Sequence, residues 1–378
     1  MLVIIVVVVL AAALSYANGA NDNSKGVATL VGFGAATPRQ ALFWAMITTA
    51  IGAGFSFLVA GGMVEAFKAR LFVPGTALGG RFFIAVLLGA VGWVLFATRT
   101  GLPVSTTHAI VGGLIGAGLV AFGRDGIVWS FLGKGVGMPL VLGPLVSTAL
   151  VYLLAWPVVA ISRRYADRCI CIEKREPAVA SAGASAAIAL ANPGPAVAVM
   201  TGTEKECEAS SPAVAVTTSK AANAVHWLSG GMVGFARGWN DAPKITALSL
   251  LGLTAANVAN PTAVGFAIVT VAMAAGGYLG GRRVLETMAK KLTPLPLAES
   301  LTASLTTAAL VSAASWASLP VSTTHVSTGA IVGAGLKNDP AKVKWGKVTE
   351  IVLSWVVTLP VAGIMAAMAM WAIGLVSR

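Results

Sequence analysis

Long apolar runs, few of them broken by charge, recur along this chain. They are continuous, not alternating, which predicts helices and not the strands of a membrane barrel. Five runs, at about residues 2–34, 38–62, 82–99, 102–122 and 137–162, precede a polar segment. Five more follow it, at about 222–253, 261–281, 299–317, 319–336 and 348–376. Several reach the roughly 20 residues that a helix needs to cross a bilayer. The pattern predicts an all-α polytopic membrane protein: a first transmembrane repeat over 1–162, a linker over 163–221 and a second repeat over 222–378.

The polar interruptions of these runs occur in pairs. Residues 18–26 read NGANDNSKG and residues 238–244 read GWNDAPK; residues 101–108 read GLPVSTTH and residues 318–325 read SLPVSTTH. Asp22 and Asp241 lie 219 positions apart, and Ser105 and Ser322 lie 217 apart. Two polar motifs, each duplicated in order inside apolar sequence, mark a transporter built from two related halves, with its substrate site where the halves meet. The first run has no basic flank of the kind a signal peptide carries, and its polar continuation has a partner in the second half, so it belongs to the fold.

Composition agrees with a membrane location: 57% of the 378 residues are hydrophobic, 11% are charged, and 43 glycines suit close helix packing. The formal charge of +12 points to basic cytoplasmic loops and not to nucleic acid, because no basic stretch carries interleaved aromatics. An odd number of crossings per half would invert the second half relative to the first. With both termini outside and the linker cytoplasmic, most of the Lys and Arg residues fall inside, although in the first half alone the outer loops are the more basic. The fourth runs could instead be re-entrant hairpins. Within the linker, a basic start is followed by an Ala/Ser/Pro/Gly-rich, flexible stretch. Its three cysteines, Cys169, Cys171 and Cys207, are expected to be reduced and incidental.

A carboxylate at membrane depth normally faces a cavity, an ion or a partner. Asp22 and Asp241 each follow an asparagine, Asn21 or Asn240, and precede Lys25 or Lys244 by three residues. Neighbouring glycines and Pro243 are expected to break the helix and free carbonyls for a cation. The plainer alternative is a pair of Asp–Lys ion pairs that neutralise each other. In the second motif, Pro103 and Pro320 favour a helix start. Ser105, Thr106, Thr107 and their counterparts Ser322, Thr323, Thr324 then offer hydroxyls and unpaired amides, an anion site at a helix N-terminus. The plainer alternative there is hydroxyls bonded back to helix carbonyls. His108 and His325 lack an adjacent acid, which argues against a catalytic dyad and for packing or hydrogen bonding.

At these motifs the chain resembles the inorganic phosphate transporter (PiT) family of sodium- or proton-coupled symporters. The residues that carry the likeness are Gly19-Ala20-Asn21-Asp22 with Lys25-Gly26, Asn240-Asp241-Ala242-Pro243-Lys244, and the segments 103–108 and 320–325. The resemblance implies inverted-topology repeats with broken helices or re-entrant hairpins at the PVSTTH motifs, a phosphate substrate, a cytoplasmic central loop and a homodimer in the plasma membrane. Phosphate is then expected at Asn21, Ser105, Thr106, Thr107, Asn240, Ser322, Thr323 and Thr324. Sodium, a co-substrate and not a tightly bound cofactor, is expected at Asp22, Asp241, Asn21, Asn240, Ser105 and Ser322, with Lys25 and Lys244 in a secondary role. Two aspartates plus phosphate in a poorly hydrated cavity call for compensating cations, and hard oxygen ligands suit sodium. Proton coupling, metal-phosphate or sulfate as cargo, and an anion channel are the competing expectations; an enzyme is not expected.

Overall fold

The computed structural model describes residues 2–68, 70–174, 197–210 and 212–376. They divide into two units, residues 1–156 with 226–378, and residues 157–225. In chain order the helices of the larger unit are α1 (Leu2–Phe33), α2 (Pro38–Val59), α3 (Gly61–Lys68), α4 (Gly80–Thr100), α5 (Thr106–Phe122) and α6 (Trp129–Arg164), the last with a π-helical stretch at Leu132–Gly137. Two of these elements, α6 and the later α8, continue into the smaller unit.

That smaller unit holds strands β1 (Arg168–Lys174), β2 (Val197–Thr203) and β3 (Val214–Thr217), with helix α7 (Glu204–Ala209) between the last two. The strands form one sheet in the order β2-β1-β3, antiparallel throughout. A sheet is what the apolar-run pattern missed, because β1 and β3 are too short to register in a search for membrane spans. The Ala/Ser/Pro/Gly-rich stretch lies mostly outside the described residues. The cysteines are not incidental: Cys171 and Cys207 form a disulfide and Cys169 is buried beside them.

After the linker come α8 (Thr218–Ala255), α9 (Pro261–Gly280), α10 (Arg282–Lys290), α11 (Leu297–Trp316), α12 (Thr323–Asn338) and α13 (Trp345–Val376). The series α1 to α6 and α8 to α13 match one for one. Short helices α3 and α10 are additions to the expected elements, in segments expected to be loops. In α10, Val284, Leu285 and Met288 are buried while Arg282 pairs with exposed Glu286, so its amphipathic period decides it. The repeats also share their start signals: α2 and α9 each begin with proline at the first turn, behind a side-chain cap from Thr37 or Asn260.

Seven helices of the described residues are long and apolar enough to cross a membrane. The exterior supports that reading. Leu58, Val141, Leu145, Trp156, Val356 and Trp371 are exposed, whereas Asn21, Asp22, Lys25, Arg237, Asp241 and Lys244 are buried. Apolar outside and charged inside is the arrangement a lipid solvent selects.

Helices α5 and α12, of 17 and 16 residues, would rise only about 25 Å, less than the ~30 Å hydrocarbon core. Each packs back on its predecessor, α5 on α4 and α12 on α11, through a tight turn. Both turns carry the same pair of backbone bonds, Leu102 N–H to Ala97 with Gly101 N–H to Thr98, and Leu319 N–H to Ala314 with Ser318 N–H to Ser315. The turn residue has positive φ in each, Gly101 at 76° and Ser318 at 55°. Pro103, Val104 and Ser105 in one hairpin, and Pro320, Val321 and Ser322 in the other, are buried inside the protein. Packing is crosswise: α1 lies on α9, α13 on α4 and α5, and α12 on α6, where a Cβ at Gly333 would stand 2.4 Å from the Thr148 carbonyl oxygen.

Candidate functional site

Helices α1 and α8 run unbroken through both Asn-Asp motifs, so the expected acidic helix breaks do not form. The glycines are used for close approach instead. A Cβ on Gly19 would lie 2.0 Å from the Met273 carbonyl oxygen of α9, and one on Gly238 would lie 2.2 Å from the Thr49 carbonyl oxygen of α2. Pro243 removes one backbone donor and leaves the Trp239 carbonyl without its i→i−4 partner, yet the helix continues through it. The other backbone carbonyls stay in the helix ladder, and the polar atoms of the site come from side chains and from the hairpin turns.

Asp22 and Asp241 meet through one amide. The Nδ2 of Asn18, one turn before Asp22, donates to Asp22 Oδ2 at 3.0 Å and to Asp241 Oδ2 at 3.1 Å. Each aspartate also pairs with the lysine three residues on, Lys25 with Asp22 and Lys244 with Asp241 Oδ1 at 3.3 Å. The plain ion-pair geometry thus exists, but neither lysine stops there. Lys25 Nζ donates to the Val104 carbonyl at 2.9 Å in the first hairpin and to Thr324 Oγ1 at 2.5 Å in the second. Lys244 Nζ donates to the Val321 carbonyl and to Thr107 Oγ1, both at 2.9 Å. Each lysine therefore ties its aspartate to both hairpins.

The hydroxyl motifs converge on the same centre. Thr106 Oγ1 donates to Asp22 Oδ2 at 3.2 Å, Thr324 Oγ1 donates to the Val104 carbonyl at 2.8 Å, and Thr107 Oγ1 donates to the Val321 carbonyl at 3.4 Å. The Thr323 hydroxyl is buried and has no hydrogen-bond partner among the described residues. Ser105 and Ser322 cap their own helices: their Oγ atoms accept from His108 N–H at 3.2 Å and His325 N–H at 3.4 Å. Asn21 and Asn240 hold the turns, donating to the Leu102 carbonyl at 2.9 Å and the Val321 carbonyl at 3.0 Å. The two motif histidines pack against each other, ring centroids 4.6 Å apart and planes tilted by 40°.

Two functional candidates escaped the motif reading. Asn18 was inside the quoted motif, and its spacing of four from Asp22 places both on one helix face. Arg237 is a fully buried arginine in a membrane helix, a signal in its own right. It reaches the Asn18 side-chain oxygen, donates to Asn23 Oδ1 at 3.1 Å, and lies 3.8 Å from Asp241 Oδ2. With Lys25 and Lys244 it brings three basic groups to two acids, a formal excess of one positive charge. The charge count thus differs from the expected one, in which the lysines at most neutralise the two aspartates and Arg237 takes no part.

Comparison with known proteins bears directly on this arrangement. The family model described as the phosphate transporter family matches residues 18–366, which take in all four motifs. A Mycobacterium leprae protein named a low-affinity inorganic phosphate transporter is 27% identical, over 99% of this chain and 78% of its own length. A Pyrococcus horikoshii protein that carries the name phosphate permease is 30% identical, over 96% of each chain. Among solved structures, one titled the sodium-dependent phosphate transporter superposes with a TM-score of 0.77 at 23% identity, covering 99% of this chain and 100% of that one, a likeness of fold. A chain with duplicated motifs, crosswise helices and a match over nearly its whole length belongs to the phosphate transporter family, a family of carriers and not of enzymes.

Proposed function

We propose that this protein is a sodium-coupled symporter of inorganic phosphate that works by alternating access. The observation that carries the reading is the single amide of Asn18 joining two buried carboxylates beneath two converging helix starts. Phosphate is assigned to the starts of α5 and α12, with Thr106, Thr107, Thr323 and Thr324 and the Ser105 and Ser322 caps around it. Their unpaired N–H groups and the excess positive charge both favour an oxyanion. Sodium is assigned to Asp22 and Asp241, with Asn21, Asn240, Ser105 and Ser322 as further oxygen donors. Asp22 and Asp241 are only 3% and 4% exposed, so substrate reaches them through a change in helix arrangement. Anion and cation sites that share Ser105 and Ser322, and that the Thr106–Asp22 hydrogen bond joins, bind interdependently, which is what symport needs.

Inverted repeats, a homodimeric assembly, a plasma-membrane location and a cytoplasmic linker complete the reading. They rest on loop charge and on the family resemblance. The name of the solved relative, a sodium-dependent phosphate transporter, supports the choice of sodium.

Purified protein in liposomes provides the test. Labelled phosphate uptake is expected to follow an inward sodium gradient and to stay near baseline under a pH gradient alone. Asp22→Asn and Asp241→Asn are each expected to abolish sodium-driven uptake. Uptake indifferent to sodium would sink the reading. Unlabelled sulfate in the same vesicles tests the anion, and is expected not to compete. Proton coupling has one observation in its favour: Lys25, Lys244 and Arg237 already balance the aspartates, so charge compensation alone does not demand sodium.

A further inference from the structure

The unit formed by residues 157–225 contains a cluster that phosphate transport does not use. Cys169 and Cys171 stand two apart on β1, so their side chains share one face of the sheet. Helix α7 is set by a capping box in which Thr203 and Glu206 satisfy each other's backbone N–H. It brings Cys207 over that face. The three sulfurs all lie within 4.8 Å of one another, and the three residues are 2%, 1% and 1% exposed. Ala215 of β3, paired with Cys171, closes the side of the cluster.

We propose that the reduced form of this unit binds one monovalent copper ion through Cys169, Cys171 and Cys207. Three thiolates around an ion at about 2.3 Å each stand roughly 4 Å apart in a trigonal plane, a spacing the 4.8 Å cluster reaches once the Cys171–Cys207 bond opens. Thiolate is a soft donor and selects soft ions. Zinc seeks a fourth ligand or a water. Among the described residues no fourth Cys, His, Asp or Glu joins the group, and the burial of the cluster shuts out water. Monovalent copper is satisfied by three sulfurs. Binding needs the Cys171–Cys207 disulfide open: two molecules of an external thiol supply two electrons and two protons and leave as their own disulfide. The copper ion then displaces three thiol protons, forming three Cu–S bonds.

The full-length protein in detergent, reduced with dithiothreitol and desalted without air, is titrated with copper(I) held by a chromogenic chelator. One copper per chain is expected, with X-ray absorption showing three sulfur neighbours at a single distance. Cys169→Ser, Cys171→Ser and Cys207→Ser are each expected to weaken binding more than about tenfold, since each removes one of three covalent ligands. Cys169→Ser is the decisive variant, because the Cys171–Cys207 pair still forms its disulfide before reduction, so the unit folds as in wild type. Phosphate uptake by each variant, expected at the wild-type level, checks that the membrane unit is intact. Copper held as tightly by Cys169→Ser as by wild type overturns the proposal. So does reduced wild type that binds no copper, or binds zinc in its place.

Discussion

Asn18 carries more of the site than its neighbours in the motif. Its one amide nitrogen serves both aspartates, and its oxygen is held by Arg237. Hydrogen bonds to charged groups contribute about 1.5–3 kcal/mol each, and here two carboxylates share a donor. Asn18→Leu is therefore expected to lower phosphate uptake by more than tenfold, and to lower the unfolding temperature in detergent by several degrees. Uptake at the wild-type level would assign Asn18 to packing. The sequence offered Asp22, Asp241 and both lysines readily, because a charge in an apolar run is conspicuous. It concealed Asn18 and Arg237 for different reasons. An asparagine is conspicuous only once its spacing of four from Asp22 is known to point both at a second helix. Arg237 was legible as a buried charge, but its partner Asn23 sits in the other half of the chain, a contact no local pattern encodes.

Among the elements, the hairpins and the long helices respond to opposite kinds of change. Positive φ at Ser318 costs a residue with a Cβ about 1–2 kcal/mol, and the equivalent position of the first hairpin is glycine. Ser318→Gly is expected to stabilise the protein by about 1 kcal/mol, seen as a raised unfolding temperature. Gly19→Val should do the reverse, because its side chain would enter the α9 backbone at Met273. Loss of the folded, monodisperse protein is expected for that variant, whereas Gly54→Ala, with open space around it, is expected to be neutral. A valine tolerated at position 19 would mean that α1 and α9 are not closely packed. Hydrophobic period made the long helices legible. It misled at Gly19, Gly238 and Pro243, because helix-breaking residues in lipid are as often packing residues, and only the neighbouring backbone distinguishes the two uses. The small sheet was hidden for another reason: β1 has seven residues and β3 only four, too few to stand out beside runs of twenty.

For the whole molecule, orientation is the property that loop charge argues and labelling can test. Lys205 is exposed in the smaller unit and Arg124 is exposed in the turn after α5. With the linker inside the cell, a membrane-impermeant maleimide should label Arg124→Cys in intact cells. It should label Lys205→Cys only after the cells are permeabilised. The opposite pattern would invert the topology. The crosswise packing has a consequence of a different kind, in the order of synthesis. Helix α13, made long after the first half, is the one that covers α4 and α5. Until it arrives, the first hairpin must wait in the bilayer with its Pro103 carbonyl lacking the donor that Trp355 later supplies. The newborn first half is thus an unfinished piece whose missing wall is encoded more than two hundred residues later. A chain stopped before Trp345 would leave that polar hairpin exposed for good, so quality control at the membrane has a built-in mark by which to recognise an incomplete copy.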